Sequence, residues 1–269
     1  MSATIYRHEF LARLKSIIIW SVAIAAFLII FFSIYPGFAD KAALINKLFA
    51  KFPKELLAAF GMNKMNIATV LGFYGFLLIF IQLFLAIQAG NYGFGLVSIE
   101  ENEMTADFLL SKPVSRTQVF VSKLLAALTG MFLTTLVVWA STLICIALYA
   151  GGREYDGATL LLLMLSLPIF QIFFLGVGLV VSLLVKRVRD VTPYSLGLAF
   201  GSYVLEAFRG TLGEVKLELI TPFKHFDPAY IVQNGALNAP LILLNLAVTL
   251  VTLAVSYVLY IRRDIPAVS

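Results

Sequence analysis

Apolar runs too long for any soluble core recur along this chain, and they decide its class before anything else. Residues 17–34, 124–149 and 158–185 each pass without one charged side chain. A bilayer's hydrocarbon core takes about 20 such residues in a helix. The composition agrees: 61% of residues are hydrophobic and 13% charged, with a mean hydropathy of +0.94, far from the roughly 25% charge of a soluble domain. Inside lipid the backbone must bond to itself, which leaves helices or a closed barrel. Barrel strands alternate apolar and polar residues, and these runs do not. The sequence therefore predicts an all-α integral membrane protein.

Six transmembrane helices are expected, at about 16–35, 67–92, 124–149, 158–185, 193–208 and 239–261, forming a single transmembrane domain over 1–269. The fifth is short for a core of about 30 Å. The first follows Arg7, Arg13 and Lys15 and is longer than a signal-peptide core, so it reads as a retained span. Ahead of it, residues 4–15 mix Ile5, Phe10, Leu11 and Leu14 with Arg7, Glu9, Arg13 and Lys15, the pattern of an amphipathic helix lying in the interface. Pro36-Gly37 is a turn dipeptide that should end span one. Residues 40–62 place Leu44, Leu48, Phe49, Phe52, Leu56 and Phe60 at helical steps among four lysines, so they read as a surface hairpin of amphipathic helices broken at Pro53. The mixed segment 209–238 reads as an interfacial element that in part re-enters the bilayer edge.

Basic residues orient the chain. With both termini cytoplasmic, the inside holds Arg7, Arg13, Lys15, Lys112, Arg116, Lys123, Lys186, Arg187, Arg189, Arg262 and Arg263, eleven of the 20 cations. These sit beside membrane ends, whereas the lysines of residues 41–64 belong to one long outer loop. The net charge of +5 is thus explained by the lipid surface, with no nucleic-acid partner. One cysteine, Cys145, and two histidines, His8 and His225, give little material for a disulfide, a metal site or histidine catalysis.

The connector 98–123 is the longest charged segment between spans. Met104, Phe108 and Leu109 make a short apolar face among Glu101, Glu103 and Asp107, Pro113 breaks the helix, and Ser115 is placed to cap a second helix that enters span three. Such a helix either docks a soluble partner or lies on lipid. From its residues alone both readings stand.

Residues 101–116, continuing to Lys123, resemble the cytoplasmic loop ahead of span three in ABC-2 type ABC transporter permeases. Thr105, Leu109, Leu110, Pro113, Ser115, Arg116 and Lys123 match that family's pattern, and Met104 stands where it often has glycine. Residues 52–61, FPKELLAAFG, resemble the family's first external loop, and residues 221–228, TPFKHFDP, its segment before the last span. The resemblance implies a non-catalytic subunit of the cell membrane that exports an unidentified substrate. It implies pairing with a second permease copy or homologue and two ATP-binding cassette subunits gripping a coupling helix formed by about 101–111. The docking residues it implies are Glu101, Glu103, Thr105, Phe108, Leu109, Leu110, Pro113, Ser115 and Arg116. ATP and magnesium would sit on the partner, in keeping with the absence of a G-x-x-x-x-G-K-[ST] phosphate loop in this chain.

Other residues carry weaker expectations. Gly197 and Gly201 have the G-x-x-x-G spacing that lets helices approach, and the resemblance puts span five against span one at the dimer contact. Gln82, Gln88, Asn91, Gln171 and Asn245 read first as interhelical hydrogen bonders and second as a substrate path. Glu206 should pair with Arg209, and His225 with Asp227 in a loop. The competing function is an ATP-independent secondary transporter or channel, which predicts several buried ionisable groups or discontinuous helices in matched halves. An intramembrane enzyme would need a nucleophile with its base or a metal motif, and none is apparent in the spans.

Overall fold

The computed structural model describes residues 2–49, 51–53, 57, 65–102, 114–185, 188, 190–212 and 215–262. These residues form helices and no strand. In chain order they are α1 (Ala3–Asp40), α2 (Ala42–Phe49), α3 (Val70–Asn102), α4 (Arg116–Tyr149), α5 (Gly157–Leu184), α6 (Val191–Leu212), a 3₁₀ turn (Val215–Leu219), α7 (Pro222–His225), α8 (Pro228–Asn234) and α9 (Ala239–Arg262).

Five of them are long and apolar enough to cross a membrane: α1, α3, α4, α5 and α9. The share of each apolar stretch buried against the rest of the protein gives their placement. It is 78% for α3, 56% for α5, and 28% for both α1 and α9. Thus α3 is the central post and α1 and α9 are peripheral. Their outward faces carry Ile18, Val22, Ile30, Leu243 and Leu250, all exposed, as lipid contact requires. α6 falls short of the five because Thr192, Tyr194, Ser195, Ser202, Tyr203 and Glu206 dilute its apolar residues.

Packing follows two long pairings. α1 lies along α4, and α3 along α5; α6 then covers another side of α3 and α9 another side of α5. The α3–α5 crossing is tight because it is built on glycine. A Cβ on Gly93 would stand 2.4 Å from the carbonyl oxygen of Leu175, a separation no side-chain carbon tolerates. Gly178 faces the carbonyl of Gly90 and Gly90 faces Ser195 of α6, so three helices meet with backbone on backbone.

Several boundaries differ from expectation. A single helix, α1, replaces the expected interfacial helix plus span one. Nothing near Lys15 breaks a helix, and the early turns bury Ile5 and Phe10 against the core instead of lipid headgroups. Pro36 sits inside α1; a proline removes one backbone bond, a loss that transmembrane helices accommodate. Span two becomes α3, running on to Asn102, and the short span five becomes the 22-residue α6. Of the surface hairpin, α2 forms the first half and Pro53 lies outside a helix; most of its second half falls outside the described residues. The expected turn between spans three and four is present: Gly151 and Gly152 hold φ of 62° and 74°, where a Cβ is strained. Asp156 caps α5 through Ala158 and Thr159.

Candidate functional site

The connector's described flanks lie at one end of the bundle. Its stretch 103–113 is outside the described residues, so Glu103, Thr105, Phe108, Leu109, Leu110 and Pro113 are not placed. Glu101 belongs to the last turn of α3. On the far side Ser115 caps α4 as the sequence expects: its hydroxyl accepts from the Gln118 amide while the Gln118 side chain accepts from the Ser115 amide.

Three other helices converge on the first turns of α4. Arg116 donates to the carbonyl of Ile261 at 2.9 Å, binding the C-terminal end of α9, where free carbonyls and the helix dipole favour a cation. Thr117 bonds Tyr257, and Phe120 packs edge-on against Tyr257 and tilted against Tyr260. The Ser122 hydroxyl accepts from the Ser2 amide and donates to the Ser2 carbonyl, and Tyr6 bonds Thr129. The described starts of α1 and α4 and the end of α9 therefore share one end of the molecule.

Lys123 ties this junction together. Sequence placed it among cations at the membrane edge, yet it is 2% exposed. Its Nζ donates to the Leu96 carbonyl of α3 at 2.8 Å and stands 3.7 Å from Glu9 Oε1 of α1. Glu9 also pairs with Arg13, and the Arg13 guanidinium lies over the ring of Tyr92, 5.9 Å from its centre. One ammonium on α4 thus holds α1 and α3, beside the point where the chain leaves for the connector. Sequence reasoning missed Glu9 in this role. The available signal was an acid alone among cations at the start of a membrane helix, four residues before Arg13.

Midway through the bundle, uncharged polar groups bond across helices. Gln88 donates to Thr134 at 2.8 Å, Gln171 accepts from Thr135 at 2.7 Å, and the two glutamines approach to 3.4 Å. Their first expected role, interhelical bonding, holds. Gln82 likewise donates to the carbonyl of Phe226 at 2.9 Å.

The opposite end is closed by 215–234. His225 is not paired with Asp227 in a loop. It is buried, its Nε2 bonds the Glu218 carbonyl at 3.1 Å, and its Nδ1 lies 3.2 Å from the Asn245 amide nitrogen on α9. Asp227 instead pairs with Lys224 and caps α8 at Ala229. Glu206 accepts from Thr221 at 3.0 Å; the side chain of Arg209, its expected partner, lies outside what is described.

A carbonyl at Nε2 and an amide NH2 at Nδ1 together call for the neutral ring protonated on Nε2, and the cation loses the bond at Nδ1. Burial pushes its pKa below the ordinary 6.5, against the opposing pull of the backbone acceptors and of Glu206. The unfolded ring thus takes up a proton more readily than the folded one. The bonding is intact above the ordinary value and lost as pH falls through the lowered one. Hydrogen exchange at 221–234, divided by the intrinsic rate at each pH, is expected to rise as pH falls below 6.5, with Lys224, Asp227 and Glu206 as the neighbouring charges. In His225→Gln that ratio is expected to stay flat; an equal rise in that variant would assign the effect to other groups.

Gly197 and Gly201 face outward on α6, and among the described residues no atom lies within 4 Å of a Cβ built on either. Among the described residues they pack against no other helix of this chain.

A family described as ABC-2 family transporter protein matches residues 3–265, nearly the whole chain. No curated protein matches the sequence.

Proposed function

The chain belongs to the ABC-2 transporter family, and from that premise we propose that it is the permease subunit of an exporter driven by separate ATP-binding cassette subunits. The protein crosses the membrane six times, with α6 as the fifth crossing and both termini cytoplasmic. Two cassettes dock on a coupling helix within about 101–111 and the loop that follows it, through Glu101, Glu103, Thr105, Phe108, Leu109, Leu110, Pro113, Ser115 and Arg116. ATP and magnesium bind the cassettes, and this chain contributes no catalysis. A second permease copy or homologue packs on Gly197 and Gly201, whose open face admits another helix backbone.

The observation that carries the reading is the junction at the foot of α4. Force applied to the connector enters α3 through Asn102 and α4 through Val114. From α4 it reaches α1 through Lys123 and Glu9, and α9 through Arg116. Ser115 and Arg116, at the edge of the docking set, also stiffen the root of α4, Arg116 through its bond to α9.

Expressed with its chromosomal neighbours, the protein is expected to co-purify with an ATP-binding subunit and to gain vanadate-sensitive ATPase activity. Leu109→Ala is expected to insert normally and to weaken cassette binding tenfold or more, about 1.4 kcal/mol. A wild-type chain that brings down no ATPase, or a variant that binds as the wild type does, would overturn the function or the docking assignment respectively.

A further inference from the structure

A groove of about 520 Å³ opens on the outer side of the α1–α4 pair, lined by apolar side chains that include Ile18, Val22 and Ala25 from α1 and Leu136, Val137 and Ala140 from α4. We propose that it holds one acyl chain of an anionic phospholipid, in the leaflet nearest the N-terminus of α1, with the headgroup against Lys15 and Arg7.

Shape selects the occupant. The groove follows α1 from Ile17 to Ala25, about 12 Å at 1.5 Å per residue. An unbranched hydrocarbon chain, narrower than any helix, lies along a strip of that length between two helices.

Charge selects the headgroup. Ala25, Val22 and Ile18 continue toward the N-terminus as Leu14, Leu11 and Arg7, at steps of three and four residues that keep them on one face. Leu11 and Leu14 are exposed along it, and exposed Lys15 stands beside it one turn below Ile18. Glu9, the only acid of this segment, is turned inward to Arg13 and Lys123. Among the described residues, the exposed charges beside this end of α1 are therefore cationic. Each such cation contributes about 1 kcal/mol of attraction to anionic lipid.

Full-length protein purified in equal amounts of palmitoyl-oleoyl phosphatidylglycerol and the matching phosphatidylcholine, then read by native mass spectrometry, tests this directly. The expected result is one retained lipid per chain, enriched in phosphatidylglycerol by about fivefold for each cation. Ala25→Phe and Ala140→Phe, which fill the groove, should lose that lipid. Arg7→Gln with Lys15→Gln should keep a lipid and lose the headgroup preference. Equal retention in the filled variants overturns the groove assignment, and no preference in the wild type overturns the headgroup assignment. If the phenylalanine variants fail to fold, the Arg7 and Lys15 pair still decides. Disulfide crosslinking between copies carrying Val22→Cys and Val137→Cys would show that a second subunit occupies the groove and overturn the proposal.

Discussion

Lys123→Met is expected to insert, fold and bind the ATP-binding subunit, yet to lose most vanadate-sensitive transport. The substitution keeps the volume of a buried side chain and removes one hydrogen bond to the Leu96 carbonyl and one charge contact to Glu9. Glu9 keeps Arg13 as a partner, so the change does not strand a bare carboxylate. The Leu96 bond is worth about 1–3 kcal/mol, and the change stops short of a fully broken buried pair because Glu9 retains Arg13. What is lost is the attachment of α1 and α3 to the root of α4. Lys123→Arg, which can reach both acceptors, should restore transport in large part. The measurement is ATPase activity and substrate flux in proteoliposomes, compared with the amount of co-purified cassette. Wild-type flux in Lys123→Met would show that this junction is a packing feature only.

Gly93→Leu is expected to leave no folded protein. Even the first added carbon would stand 2.4 Å from the Leu175 oxygen and 3.0 Å from the Leu179 nitrogen, both backbone atoms that cannot swing aside. Forcing α3 and α5 apart dismantles the crossing at which the most buried helix of the protein is held. Gly93→Ala should cost about 1–3 kcal/mol, the usual price of an overpacked core. The control is Gly37→Ala on α1, where nothing lies within 4 Å; relieving a helical glycine there should be neutral or favourable by up to about 1 kcal/mol. Size-exclusion profiles and melting temperatures in detergent separate the three. A monodisperse, wild-type-like Gly93→Leu would mean that the α3–α5 crossing is wider than described.

What the sequence discloses and what it conceals follow from range. Uncharged runs locate α1, α4, α5 and α9 to within a turn or so at most ends, because exclusion from water is a property of the run itself. The Ser115 cap is legible for the same reason: donor and acceptor are three residues apart. The continuity of α1 was not legible. Residues 4–15 have the periodicity of an interfacial helix, and whether that face meets lipid or α4 depends on Ser122, Lys123 and Thr129, more than a hundred positions away. His225 is a similar case. Its sequence neighbour Asp227 looks like the partner, while the groups that hold it are the Glu218 carbonyl and Asn245 on another helix. Gly93 reads as one small residue among several until the backbone of α5 is laid across it.

The uninterrupted α1 has a mechanical consequence. Its 38 residues make a rod of about 57 Å, nearly twice the hydrocarbon thickness, pinned near its foot by Glu9 and near its head by Asp40, which pairs with Arg153 at 2.5 Å. A beam of that length does not dissipate a rotation in a joint. A tilt of about 5° at one end sweeps the other by about 5 Å, so a small displacement of the α4 root can part Asp40 from Arg153 on the far side of the bilayer.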